Sequence, residues 1–123
     1  MPKKILVVDD KANIVLSLEF LMKQAGYDVR TASDGEVALA TIEADPPDLI
    51  LLDVNMPTKN GFEVCETVRA RNEWSHIRII MLTAHGRDIE REKGLALGAD
   101  DYLTKPFAIR EVVSKVQELL EQS

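Results

Sequence analysis

The sequence predicts one α/β domain over residues 1–123, doubly wound and flavodoxin-like, with five parallel strands in the order 2-1-3-4-5 and five helices. Three observations carry that prediction. Short apolar runs alternate with stretches of helical periodicity along the whole chain, with no internal linker. The first, third and fourth runs, Ile5-Leu6-Val7-Val8, Leu49-Ile50-Leu51-Leu52 and Ile79-Ile80-Met81-Leu82, are apolar throughout, as strands covered on both faces are. Val29-Arg30-Thr31-Ala32 and Asp101-Tyr102-Leu103-Thr104 are mixed and suit the sheet edges, and right-handed crossovers then make 2-1-3-4-5 the simplest order. Its switch point lies between strands one and three, where open sheets of this kind bind ligands.

The elements follow in turn. Ile14, Leu18, Leu21, Met22 and Ala25 share one face of a first helix near residues 11–25, with Gly26 as its stop. After the short strand at Val29–Ala32, Ser33 with Glu36 three residues on forms a capping-box pattern for a helix reaching about Glu43, which Pro46-Pro47 ends. Asn60 with Glu63 repeats the pattern for a third helix through about Arg71, with Phe62, Val64, Cys65 and Val68 on its apolar side. A loop around Trp74 and Ser75 precedes the strand at Ile77–Leu82. The segment Asp88–Leu97 is the weakest helix, with only Ile89, Leu95, Ala96 and Leu97 as apolar residues and Gly94 inside it; Gly98 closes it. The last helix runs from about Ile109 to Leu120, with Val112, Val113, Val116, Leu119 and Leu120 inward.

Composition restricts the function classes. A chain of 123 residues, 46% hydrophobic and 29% charged, has the make-up of a folded globular domain. Its apolar stretches are strand-sized and no signal-peptide core follows Met1-Pro2-Lys3-Lys4, so a cytosolic protein is expected. A net charge of −6 disfavours direct binding to nucleic acid. The single cysteine, Cys65, reads as a small helix residue rather than a nucleophile.

The chemistry lies where the strands end. Asp9-Asp10, Asp53, Thr83 and Lys105-Pro106 each follow or close an apolar run, so a parallel sheet gathers carboxylates, a hydroxyl and an ammonium at its carboxyl edge. Taken singly, Asp10 reads as a helix N-cap and Asp53 as a loop residue; the whole set of strand-end residues does not read that way. Carboxylates packed together need protons or a cation, and oxygen ligands without histidine or thiolate suit Mg²⁺ or Mn²⁺. A cation beside a carboxylate, a lysine and a hydroxyl equips a site for phosphoryl groups. Neither GxxxxGK[ST] nor GxGxxG occurs, which leaves acceptance of phosphate by an aspartate as the remaining option.

Val7-Val8-Asp9-Asp10, Leu52-Asp53-Val54-Asn55-Met56-Pro57 with Gly61 four residues beyond, Leu82-Thr83-Ala84, Gly98-Ala99-Asp100-Asp101-Tyr102 and Lys105-Pro106-Phe107 occur in this order. With them the whole chain resembles a receiver domain of a two-component response regulator, of the kind found alone in chemotaxis-type regulators. The resemblance implies that Asp53 is the phosphoacceptor, taking its phosphoryl group from a phosphohistidine of a sensor kinase or phosphotransfer protein. It implies that Asp10, Asp53 and the backbone carbonyl of Asn55 ligate Mg²⁺, that Asp9 holds a metal-bound water, and that Lys105 contacts the phosphate and pairs with Asp53. The peptide before Pro106 would be cis. Thr83 and Tyr102 would form the switch, with the fourth helix, fifth strand and fifth helix as the output face. Asn55, Ala84 and His85 would line the access to the phosphate and tune its lifetime, His85 either bonding the hydrolytic water or blocking it.

On the residues alone, other readings stand beside these: Thr83 as a helix cap, Tyr102 as a packed edge aromatic, Lys105 as a surface lysine, His85 as a surface histidine, and Met56-Pro57 and Asn60-Gly61 as turn and cap chemistry. The resemblance implies a switch that assists its own phosphorylation and dephosphorylation rather than an enzyme. Its partners would be a kinase or phosphotransfer protein, a downstream protein or attached output domain, and a phosphorylation-dependent second copy, with no membrane contact. A receiver cut from a longer DNA-binding or enzymatic regulator is the first alternative. An aspartate-nucleophile phosphohydrolase of the haloacid-dehalogenase type is more distant, because the residue two beyond Asp53 is Asn55 rather than a second aspartate. A non-phosphorylated pseudo-receiver is disfavoured by the presence of Asp9, Asp10, Asp53, Thr83 and Lys105 together.

Overall fold

The computed structural model describes residues 2–84 and 88–121. Five strands, β1 (Lys4–Val8), β2 (Asp28–Ala32), β3 (Leu49–Asp53), β4 (Arg78–Ala84) and β5 (Asp101–Lys105), alternate with helices α1 (Ala12–Gln24), α2 (Gly35–Ala44), α3 (Gly61–Ala70), α4 (Asp88–Ala96) and α5 (Ile109–Glu121). The strands form one parallel sheet in the order β2-β1-β3-β4-β5, with the mixed strands at its edges. Among the described residues no helix is long and apolar enough to cross a membrane.

Strand alternation splits the core into two layers. Ile5, Val7, Leu49, Leu51, Ile80, Leu82 and Leu103 point to the side covered by α1 and α5, where Leu18, Met22, Val112, Val116 and Leu120 close over them. Leu6, Val8, Ile50, Leu52, Ile79 and Met81 point to the other side, against Ala38, Ile42, Val64, Cys65 and Val68 of α2 and α3. The same parity reaches the chemistry: continuing 5-7-9, 49-51-53 and 103-105 puts Asp9, Asp53 and Lys105 on the α1/α5 side of the sheet edge, while 79-81-83 puts Thr83 on the α4 side.

Several local details differ from the sequence reading. The cap of α2 is Asp34, whose carboxylate accepts from the Val37 N–H at 2.9 Å, not Ser33; the chain enters the helix one residue later, so Glu36 falls outside a capping-box position. The Asn60–Glu63 box at α3 is present in both directions, at 2.9 and 3.0 Å. The segment at Asn72–Trp74 is a single 3₁₀ turn that buries Trp74 and sets the Arg71 guanidinium over its ring at 3.9 Å, where a loop was expected. In α4 the apolar residues do not make the inner face: Ile89 is 74% exposed, whereas Glu90 and Gly94 are buried. A Cβ on Gly94 would sit 3.0 Å from the Met81 side chain, so the glycine allows α4 to lie close on β4.

The turn after β3 is held by a close backbone approach. Gly61 donates its N–H to the Val54 carbonyl at 2.8 Å, and a Cβ there would lie 2.2 Å from the Asp53 carbonyl oxygen. Thr58, at φ 65°, fixes the outer part of the turn: its hydroxyl donates to Asp34 at 3.2 Å and accepts from the Glu36 N–H at 3.1 Å. Gly61→Ala is expected to cost about 2–3 kcal/mol in urea-unfolding free energy, because backbone must move. Gly26→Ala, with φ 99° but open space around the site, should cost about 1 kcal/mol, so the ranking of the two variants checks that close approach rather than backbone conformation governs Gly61.

Candidate functional site

Asp9, Asp10 and Asp53 offer carboxylate oxygens that all lie within 4.8 Å of one another at the carboxyl edge of β1 and β3. Asp9 is fully buried and both its oxygens are engaged, Oδ1 by the Lys11 N–H at 2.9 Å and Oδ2 by the Lys105 ammonium at 2.8 Å. Asp53 is 4% exposed; its Oδ1 accepts from Lys105 at 3.1 Å, and its Oδ2 is buried with no hydrogen-bond partner among the described residues. Asp10 is at the surface, with the Lys11 ammonium 3.5 Å away. The Lys105–Pro106 peptide is cis.

Burial drives the Asp53 carboxyl above its ordinary value of 3.8, the Asp9 carboxylate adds to that shift, and Lys105 opposes both without cancelling them. For Lys105, burial works against the charge, but the hydrogen bonds to Asp9 and Asp53 outweigh it and hold the ammonium above 10.5. A simple ion pair would move its two members in opposite directions. Here two carboxylates share one ammonium, Asp9 takes the shorter bond, and Asp53 is left under-compensated. An uncompensated buried carboxylate with a free oxygen, beside a second buried and a third surface carboxylate, fits a hard divalent cation. Asp10 and Asp53 have oxygens to offer; those of Asp9 are occupied by protein donors.

Thr83 is buried, and its hydroxyl donates to the Leu103 carbonyl at 3.5 Å. Tyr102 stands in register with Met81 on the α4 side; its hydroxyl accepts from Arg91 at 3.2 Å, and the Arg91 and Lys115 charges lie 5.1 and 5.0 Å from its ring centre. Asn55 and Ala84 are exposed at the ends of the β3 and β4 extensions. His85 lies outside the described residues. Cys65 is buried away from this edge, and burial pushes its thiol up to about 11, which suits packing rather than nucleophilic attack.

One participant escaped the sequence reading. Glu90, 6% exposed in the first turn of α4, accepts from the Ala84 N–H at 3.4 Å and from the Asn55 side-chain amide at 3.5 Å. The available signal was its spacing: Glu90, Gly94 and Leu97 occupy one stripe at i, i+4 and i+7, but Leu97 is its one large apolar residue, too few to mark an inner face.

A parallel sheet whose switch point carries a buried, cation-ready aspartate beside a lysine is the architecture of a signalling receiver. The model of the response regulator receiver domain matches residues 5–117, and the chain belongs to that family, whose members act as signalling switches. It is 50% identical over 123 residues to the alkaline phosphatase synthesis transcriptional regulatory protein PhoP of Bacillus subtilis (strain 168), covering 100% of this chain and 50% of that protein; the chain thus spans about half the length of this curated relative. Among solved structures, one described as a response regulator of Chloroflexus aurantiacus J-10-fl superposes with a TM-score of 0.95 at 38% identity, over 98% of this chain and 99% of that one. The chemotaxis protein CheY4 of Vibrio cholerae gives a TM-score of 0.90 at 35% identity, over 97% and 99%.

The Asp53 environment sets a pH dependence. Above pH 3.8 an unfolded chain has released the Asp53 proton that the folded chain still holds, so stability falls as pH rises from 3.8 through the raised folded value. Asp53→Asn removes the penalty, and in EDTA at pH 7 its melting temperature should exceed wild type by about 2–4 °C, a modest gain because Lys105 and solvent at the site mouth screen the charge. Saturating Mg²⁺, at about 100 times its Kd, should stabilise wild type by about 2.7 kcal/mol and the variant far less, as read by differential scanning fluorimetry.

Proposed function

We propose that Asp53 accepts a phosphoryl group from a phosphohistidine of a sensor kinase or phosphotransfer protein and that the domain relays the change to a partner or an attached output domain. The observation that carries this reading is the buried, unpartnered Oδ2 of Asp53, held by Lys105 through the other oxygen. Oδ2 attacks phosphorus, the P–N bond breaks with its electron pair returning to the imidazole, and an acyl phosphate forms on Asp53. Lys105 fixes the attacking carboxylate and balances charge on the incoming oxygens. Asp10, Asp53 and the Asn55 carbonyl would hold Mg²⁺, with Mn²⁺ as a substitute and Asp9 supporting a bound water; when present, the cation neutralises the charge that builds up on the phosphoryl oxygens. The domain thereby assists its own phosphorylation and its later hydrolysis, with Asn55 and Ala84 at the access to the phosphate.

The acquired charge of about −1.5 to −2 offers new acceptors to the Thr83 hydroxyl, whose present bond to Leu103 is long and cheap to exchange. Movement of Thr83 frees space beside Tyr102 and biases the face made by α4, β5 and α5. The unit of action in this reading is residues 1–123, in the cytosol and away from membranes. The 50% identity to a transcriptional regulatory protein of about twice this length favours a DNA-binding output over an enzymatic one, and a phosphorylation-dependent second copy is a further partner in this reading.

Intact mass after incubation with acetyl phosphate and Mg²⁺ tests the central step. Wild type should gain one phosphoryl mass, while Asp53→Asn and the EDTA control should gain none. Lys105→Ala should be modified about 100-fold more slowly with its fold retained. No gain in folded wild type with Mg²⁺ bound would return the chain to the pseudo-receiver reading.

A further inference from the structure

We infer that Glu90 is a positioning residue for phosphoryl exchange, a carboxylate that occupies the Ala84 N–H and the Asn55 side-chain amide in the resting domain and releases them when a phosphoryl group arrives. The inference rests on the reading of Asp53 as phosphoacceptor. Asp53 ends β3 in register with Leu82; Asn55 lies two residues beyond that strand end, and Ala84, two residues beyond Leu82, closes β4 in register with Lys105. Glu90 bridges them, with Oε1 on the Ala84 N–H at 3.4 Å and Oε2 on Asn55 Nδ2 at 3.5 Å. Both bonds are long, hence readily exchanged, yet the carboxylate making them is 6% exposed. A backbone N–H at the rim of an anion site is a natural donor to a phosphoryl oxygen, and Glu90 competes for it.

The position of Glu90 also couples the site to α4. It lies in the first turn of that helix, where the helix dipole favours a carboxylate. The far end of α4 is secured independently: Arg69 donates to the Gly98 carbonyl at 2.8 Å and to Asp100 at 3.0 Å, and Asp100 also takes the Ile79 N–H at 2.8 Å. Between these ends the inner face presents Gly94 to Met81. Loss of the Glu90 bonds therefore loosens the α4 end nearest the phosphoacceptor while the other end stays anchored.

Amide hydrogen exchange at Ala84 in ¹⁵N-labelled protein without any phosphodonor, combined with the affinity for beryllofluoride plus Mg²⁺, tests the proposal. Glu90→Ala and Glu90→Met both remove the acceptor, the methionine filling the space if the alanine variant does not fold. Both should speed Ala84 exchange by about fivefold and tighten beryllofluoride binding by about threefold to tenfold. Glu90→Gln, which keeps an acceptor, should stay within about twofold of wild type in exchange. Unchanged Ala84 exchange in Glu90→Met would overturn the inference, as would a lowered melting temperature with unaltered beryllofluoride affinity, the signature of a purely structural role. Failure of wild type itself to bind beryllofluoride or gain phosphoryl mass would instead overturn the phosphoacceptor reading, with the Ala84 exchange data still reporting the resting hydrogen bond.

Discussion

The structure is organised around one ammonium shared by two buried carboxylates. Lys105 reaches from the end of the edge strand β5 across β4 to Asp53 on β3 and Asp9 after β1, so the bond spans four of the five strands. Burying these charges costs desolvation that the pairing outweighs for Lys105 but only partly offsets for Asp53, and hydrophobic residues of similar volume would serve stability as well or better. Its retention at the switch point makes sense as chemistry. The triad keeps a carboxylate out of water, gives one of its oxygens the Lys105 ammonium, and leaves the second without a hydrogen-bond partner among the described residues.

The two faces of the sheet differ in a way that follows from this edge. On the α1/α5 side, large aliphatic residues from both helices close over the strands. On the α4 side the helix meets the sheet through Glu90 and Gly94, and the residues beneath it are Met81, Tyr102 and the hydroxyl of Thr83. Few apolar contacts and several replaceable polar ones define an element that can move at low cost. The site is thus fixed from one side and deformable from the other, which is the asymmetry a switch needs.

Much of this was readable in the chain because its signals are local. Continuous apolar runs marked the inner strands, mixed composition marked the edges, and the polar residues closing each run named Asp9, Asp10, Asp53, Thr83 and Lys105. Signals that depended on a single residue of register were less secure. Ser33 and Asp34 are both good caps, and only the entry angle of the chain selects Asp34. Three residues of 3₁₀ turn carry no periodicity, so the sequence places Trp74 in a loop. Ile89 reads in the sequence as apolar support for α4, yet it faces outward because Glu90 and Gly94 take the inner stripe.

By itself the sequence determined the order of elements, the sheet topology and the set of groups delivered to one edge, because hydrophobic periodicity and strand-end chemistry are properties of neighbouring residues. The tertiary structure decided how those groups divide their partners. That Asp9 takes the shorter bond to Lys105, that Asp53 retains an unpartnered oxygen, that Gly61 presses on the Asp53 carbonyl and that Glu90 holds Ala84 and Asn55 all depend on ångström distances between segments far apart in the chain. Hydrogen bonds and charge compensation fall off over such distances, so they are settled only when the helices and strands have packed.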